Sequence, residues 1–309
     1  MLELFRAWHP GPRHRARWTG DARGAVRVRW LGTACFVIET EGATVVVDPF
    51  VSRPRVRDVI LRPLVPNVAE ILRRFPSKVD AVVCGHAHYD HLMDGPALAA
   101  ATGARFIGSP TALHVARAAG VPESQLTAAQ RTGTSVTVGD VSIRLVPSLH
   151  GRFVFRRYYL ATGELDAPPR LPAHASAYKM GGAFGVVITT ASGVTLYHNG
   201  SADLIDAELD GVSADVLLVG LAGRQGTRDY LGRLVRALSP SLIVPTHHDA
   251  FFRPISEGLR LLPGIDLDDF AAECRRLSPD AEVLLPLYDE TIVVPPGRDA
   301  ARGAGVLDR

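Results

Sequence analysis

Three histidines and an aspartate fall within six residues, His86-Ala87-His88-Tyr89-Asp90-His91, directly after an apolar run. In an extended segment residues two apart point to the same side, so His86 and His88 can reach one cation from a strand end. If the chain then turns, Asp90 and His91 face a second position beside the first. Imidazole nitrogen combined with carboxylate oxygen suits zinc, and also iron or manganese. Two more histidines end apolar runs far along the chain. His150 closes Val-Pro-Ser-Leu-His-Gly, and His247 stands in Val-Pro-Thr-His-His-Asp with His248 as its rival. A metal site assembled from strand-end loops requires such a distribution. His9, His14 and His114 are isolated and read as surface or packing residues.

The elements that would carry these residues are short. Runs at 26–31, 35–39 and 44–48 alternate or are continuously apolar, with Glu41-Gly42 as a turn. The Arg- and Pro-rich stretch 51–75 reads as a loop with one short helix, and 79–84 as a buried strand feeding Gly85-His86. Helices are predicted at 96–101 and at 110–119, the latter with Ser109 as N-cap and Pro110 in its first turn. Strands at 135–138 and 141–146 flank Gly139-Asp140, a strong hairpin signal. Strands at 183–190 and 194–198 flank Ser192-Gly193. A strand at 216–220, a helix at 227–238 capped by Thr227 and a strand at 242–245 follow. The chain closes with an amphipathic helix at 266–277 and strands at 282–285 and 291–294. Strand-rich, helical, strand-rich and helical stretches without a linker predict an α+β fold of two sheets packed face to face, helices outside. Residues 1–24 are an irregular lead-in with Trp8 and Trp18 packed on the surface, 25–296 a single domain, and 297–309 a tail. Residues 151–182 lack periodicity and hold Arg, Tyr and Pro clusters, the mark of a functional loop.

The bulk numbers exclude several classes. Of 309 residues 47% are hydrophobic and 21% charged, enough apolar material for a substantial core. A net charge of +2 implies no strong pull toward nucleic acid or an acidic membrane. Cys35, Cys84 and Cys274 are widely spaced and form no CxxC pair, so they read as buried apolar residues in a reducing compartment. The N-terminus lacks the apolar run of a signal peptide, and no stretch approaches a membrane span. A cytoplasmic location is the resulting expectation.

The six-residue motif, written H-x-H-x-D-H after a buried strand, resembles the signature of the metallo-β-lactamase superfamily. Trp30-Leu31-Gly32-Thr33-Ala34-Cys35-Phe36-Val37-Ile38-Glu39 looks like that fold's opening hairpin, Val46-Val47-Asp48-Pro49-Phe50 like its early strand ending in Asp-Pro, and Pro245-Thr246-His247 like its last ligand motif. The resemblance covers about residues 26–255. The wording looks most like the branch that includes ascorbate-6-phosphate lactonases and N-acyl-phosphatidylethanolamine phospholipase D. It implies a four-layer αβ/βα sandwich of two mixed sheets with metals at one edge. It assigns His86, His88 and His150 to one ion and Asp90, His91 and His247 to a second, with Asp48 hydrogen-bonding the histidine-rich loop. The family's bridging Asp follows a Gly, whereas here Asn199-Gly200-Ser201-Ala202-Asp203 puts Ser201 in that place, and Asp203 is the candidate substitute.

The activity implied is hydrolysis by water activated on one or two divalent ions, zinc first, with Asp90 and His91 at the catalytic centre. No G-x-S-x-G nucleophile elbow is present. The bond is an ester, lactone or phosphodiester of a small molecule or lipid. Arg157, Tyr159, His174 and Tyr178 in the irregular segment are the substrate contacts, with an anionic group suggested by Arg156, Arg157 and Lys179. No nucleic-acid partner is expected, and homo-oligomerisation is left open. Three rivals follow. A nucleic-acid-processing enzyme would carry an inserted domain or basic arm. A di-iron redox protein would carry a fused flavin domain and a carboxylate where His88 stands. An inactive metal-binding module is kept in play by Ser201.

Overall fold

Period-two alternation builds the first sheet. In β1 (Val26–Gly32) Val26, Val28 and Trp30 face the core between the sheets. In β2 (Cys35–Glu39) Phe36 and Ile38 face the same way, and Cys35 and Val37 face outward under the helices. β3 (Thr44–Val47) and β4 (Ala81–Val83) repeat the division, with Val45, Val47, Ala81 and Val83 inside and Val46 and Val82 outside. A strand buried on both faces reads as a continuous apolar run. Each large side chain so buried contributes about 1.5–3 kcal/mol.

The computed structural model of the protein describes residues 5–9, 23–152 and 161–297. Between β3 and β4 come α1 (Val56–Leu61) and α2 (Val68–Arg74). α3 (Tyr89–Leu92) and α4 (Gly95–Thr102) precede β5 (Arg105–Gly108), and α5 (Pro110–Ala118) leads to β6 (Leu126–Ala128). The second half runs β7 (Thr134–Val138), β8 (Val141–Ser148), β9 (Ala183–Thr190), β10 (Thr195–Asn199), β11 (Val216–Gly220), α6 (Tyr230–Leu238), β12 (Leu242–Thr246), α7 (Leu267–Leu277), β13 (Glu282–Val283) and β14 (Thr291–Val294). The described strands form two seven-stranded sheets, ordered β14-β1-β2-β3-β4-β5-β6 and β13-β12-β11-β10-β9-β8-β7. Both are mixed, and the architecture is the expected αβ/βα sandwich. β14 comes from the far end of the chain to pair antiparallel with β1, Val26 opposite Val294.

Strand direction decides where the loops fall. β3, β4 and β5 are mutually parallel, as are β10, β11 and β12. β8 is antiparallel to β9 and β9 to β10, so β8 ends on the same side as β10 and β12. The chain therefore leaves β8, β10 and β12 at one edge of the second sheet.

Several expectations are corrected. The 51–75 stretch holds two helices, because Asn67 caps the second by accepting from Glu70 N at 3.2 Å. α6 begins at Tyr230 with Asp229 before it, and Thr227 is no cap: its Oγ1 donates to Ala202 O at 2.9 Å. β5, β6 and α3 lack a sequence signal because three or four residues cannot display a period. Ser109 caps α5 as expected, accepting from Ala112 N, whereas Asp266, expected as the first residue of α7, is its cap and accepts from Asp268 N and Asp269 N. Trp8 is buried, and Trp18 and His14 lie outside the described residues. The described part of the irregular segment, 161–182, has one 3₁₀ turn, Ala175–Ala177, and no helix or strand longer than that. No described helix is long and apolar enough to cross a membrane.

Candidate metal centre

β4 ends at Val83, and Cys84-Gly85 carries the chain into the histidine run. Asp48, just past β3, fixes this passage. Its Oδ1 accepts from Gly85 N at 2.6 Å, and its Oδ2 pairs with His91 Nδ1 at 2.8 Å. His88 is extended, with φ −64° and ψ 151°, and serves as N-cap of α3. Its carbonyl accepts from His91 N and Leu92 N, both at 3.0 Å. The single helical turn swings Asp90 and His91 back beside His86.

The partners arrive from the second sheet. His150 follows β8 and bridges to Ala202 in the loop after β10, and Gly151 N donates to Ser201 O at 2.6 Å. His247 follows β12 with a left-handed φ of 52°, and its N donates to Thr33 O at 2.7 Å. Two clusters result. Ligand atoms of His86, His88 and His150 lie within 4.8 Å of one another, and so do those of Asp90, His91 and His247. The clusters adjoin, with the His86 and His91 ring centroids 3.8 Å apart.

Hydrogen bonds set the free lone pairs. A carboxylate or carbonyl only accepts, so His91 Nδ1 donates to Asp48 and His150 Nδ1 donates to Gly151 O at 2.7 Å. In each ring Nε2 then carries the lone pair. His247 Nε2 lies 3.3 Å from Asp90 Oδ2. His86 is 1% exposed, yet neither ring nitrogen has a hydrogen-bond partner, and His247 Nδ1 is also without one. Leaving buried nitrogens unmade costs about 1–3 kcal/mol each. A cation bound by His86 would remove that cost, so the residues fit a metal.

The electrostatics agree. Burial, and then the neighbouring imidazoles, push the His86 pKa well down. Burial and His88 bring His150 down to about 3. Both rings are held neutral, the form that ligates. Burial opposes ionisation of Asp90, but His91 and His247 hold its carboxyl well below the usual range. Burial works against protonation of His91, and Asp48 and Asp90 outweigh it.

Other expected residues divide. His248 is stacked on Trp30 at 4.6 Å and belongs to neither cluster. Asp203 is not brought to the clusters, which corrects its expected part in the bridge. The loop turns at Ala202, φ 58°, and Asn199 Nδ2 and Ser148 Oγ hold the Asp203 carbonyl. Asp203 Oδ1 accepts from Leu204 N at 2.8 Å and faces Arg233 at 3.5 Å. Ser201 is buried, its Oγ donating to Asn199 Oδ1 at 3.2 Å. Above the clusters opens a cavity of about 740 Å³, lined by Tyr178 and Lys179 among others. His174 is exposed and does not line it. Arg156, Arg157, Tyr158 and Tyr159 lie outside the described residues.

One buried network escaped the sequence reading. Asp249 pairs with Arg53 and accepts from Tyr288 Oη at 2.9 Å and Thr33 N at 2.8 Å. Thr33 O in turn receives His247 N. Gly32, φ 92°, makes room, since a Cβ there would meet Arg53 Nη2 and Asp249 Oδ2. The adjacency of Asp249 to His247-His248 was a usable signal. Arg53 had none, being one arginine among several in its stretch. His198, fully buried with Nε2 3.0 Å from Ala34 O, was likewise unassigned.

Comparison with known proteins adds a family. Residues 27–247 match the family described as the beta-lactamase superfamily domain. A UPF0173 metal-dependent hydrolase of Anaeromyxobacter sp. (strain K) is 30% identical over 240 residues, 74% of this chain and 77% of the relative. Another, from Pyrobaculum arsenaticum, is 30% identical over 232 residues, 73% and 85%. Among solved structures, the metallo hydrolase Igni18 of Ignicoccus hospitalis has a TM-score of 0.60 at 20% identity, with 88% of this chain and 100% of that one covered. The diiron β-hydroxylase CmlA of Streptomyces venezuelae has a TM-score of 0.56 at 13% identity, covering 90% of this chain and 55% of its own. Likeness at these identities speaks for the fold alone.

Proposed function

The chain belongs to the beta-lactamase superfamily, is one of its metal-dependent hydrolases, and we propose that it hydrolyses an ester, lactone or phosphodiester of a small molecule at a dinuclear centre. The observation that carries this reading is the pair of clusters, His86, His88, His150 and Asp90, His91, His247, on the floor of one cavity. The first triad would hold one divalent ion and the second another, zinc being the ion best matched to this nitrogen-rich set. Bound there, the ions supply a Lewis acid and lower the pKa of water.

The protein's own groups do the rest. Asp48 holds the His91 ring by Nδ1, so that Nε2 keeps its direction. Asp90 stays ionised and orients the attacking water by accepting its O–H. Its depressed pKa makes it a poor store for the proton, which passes on to the leaving group. Tyr178 borders the cavity with its phenol neutral, burial and then Asp94 pushing it up to about 12. It can donate a hydrogen bond to a substrate oxygen, with Lys179 beside it as the charge partner for an anionic group. Arg157 and Tyr159 remain proposed contacts, whereas His174 is exposed and outside the cavity lining.

Chelation followed by zinc repletion tests the reading. Hydrolysis of a panel of aryl esters, lactones and phosphodiesters is lost on chelation and returns with the metal. His86→Ala lowers bound zinc by elemental analysis and lowers turnover by at least a hundredfold. Full turnover in metal-free protein overturns it.

A further inference from the structure

α1 buries none of its residues, although four of its six are aliphatic. Val56, Val59 and Ile60 instead line the cavity above the histidine clusters. The same cavity is lined by Phe251 and Phe252, whose ring centroids are 4.2 Å apart. The apolar surface continues outward. Ile60 is 68% exposed, Leu61 71% and Val65 67%. Val56, Ile60, Leu61, Val65, Val68 and Leu72 make up six of the eight exposed large hydrophobic residues among those described. Single exposed aliphatics need no explanation, but a contiguous set beside a cavity marks a binding surface. Lys179 is the lone Lys or Arg among the described lining residues. The cavity is therefore polar at its floor and apolar along its wall, and about 740 Å³ leaves room for a chain beyond the reacting group.

We infer that the substrate carries a flexible aliphatic chain, which lies along Val56, Val59 and Ile60 against Phe251 and Phe252 while its reacting group sits over the histidines. This deepens the hydrolase reading and rests on it for the reacting group alone. The chain's place is set by the wall. Only Val59 of α1 packs, half-buried, against the core, whereas Val56 and Ile60 stay exposed at the cavity and gain burial when an apolar ligand is present. Each methylene removed from water there raises affinity about three- to fourfold.

Calorimetric titration of the zinc-loaded full chain with butanoate, hexanoate, octanoate and decanoate tests this, the carboxylate standing in for an acid product. Affinity is expected to climb about three- to fourfold per methylene until the cavity is filled. Val59→Asp and Ile60→Asp are expected to flatten that slope with zinc content unchanged. Ile60→Asp, at a position 68% exposed, also leaves the melting temperature unchanged, whereas Val59 packs half-buried against the core and its variant lowers it. Leu72→Asp, on α2 and outside the cavity, leaves the slope intact. Equal affinity along the series overturns the inference, as does a slope that survives Val59→Asp and Ile60→Asp. So does a slope that Leu72→Asp flattens equally, which would point to a membrane-facing patch. A slope without turnover of any ester sinks the hydrolase reading and leaves this one standing, whereas turnover with a flat series does the reverse.

Discussion

Asp48 and Asp203 both follow strands, and their surroundings give them opposite roles. Asp48 is fully buried with a left-handed φ of 45°, and its two oxygens hold Gly85 N and His91 Nδ1. Removing its charge frees the ring of a proposed ligand, so Asp48→Asn should weaken zinc binding ten- to hundredfold in chelator competition. Asp203 faces Leu204 N and Arg233 instead, and Asp203→Asn should leave zinc affinity unchanged within about twofold. A large loss there would return it to the centre. The histidine run was legible because three imidazoles in six residues after a strand have few other uses. Asp203 was not, since a two-residue offset says nothing about how the Ala202 turn aims a side chain.

The segment after β3 and the turn after β12 are tied together by an ion pair with almost no exposure, Arg53 at 1% and Asp249 at 0%. Taking away one partner leaves a buried charge alone. Asp249→Ala should therefore cost about 3–5 kcal/mol in urea unfolding of the metal-free protein. It should also loosen the Thr33 carbonyl that receives His247 N, read as weaker zinc binding. A cost under 1 kcal/mol would show that the pair contributes little. Elements with a clear period or turn were legible: β2, β9, β11 and β14 stand where the sequence puts them, flanked by turn residues. β5 and β6 were invisible because parallel pairing, β5 with β4 and β6 with β5, makes them strands, and no local pattern of so few residues records it. α6 starts late because Thr227 spends its hydroxyl on Ala202.

Across the whole molecule, buried histidines dominate the acid response. Burial, with neighbouring imidazoles, depresses His86 and His198, and lowers His150 to about 3 and His248 to about 4. In the unfolded chain these groups take up protons near pH 6.5. The folded state refuses them, so the stability they contribute is present above about pH 6.5 and lost as pH falls toward 4 and then 3. His91 opposes this, since its raised pKa adds stability on the acid side that fades as pH rises through the raised value. Asp94 opposes it too, since burial raises its pKa to about 6 and the folded state gains its proton first as pH falls. Two residues against four leave a net loss. The urea midpoint of metal-free protein should fall between pH 7.5 and pH 5, and a flat or rising midpoint would contradict the assignment. The pairing of β14 with β1 has a consequence during translation. β1 is polymerised long before its outer neighbour β14 and the Tyr288 hydroxyl that reaches Asp249. A nascent chain thus carries an open, apolar strand edge, a template for aggregation, until β14 emerges. The turn of His247 gains its full support only once β14 has been made.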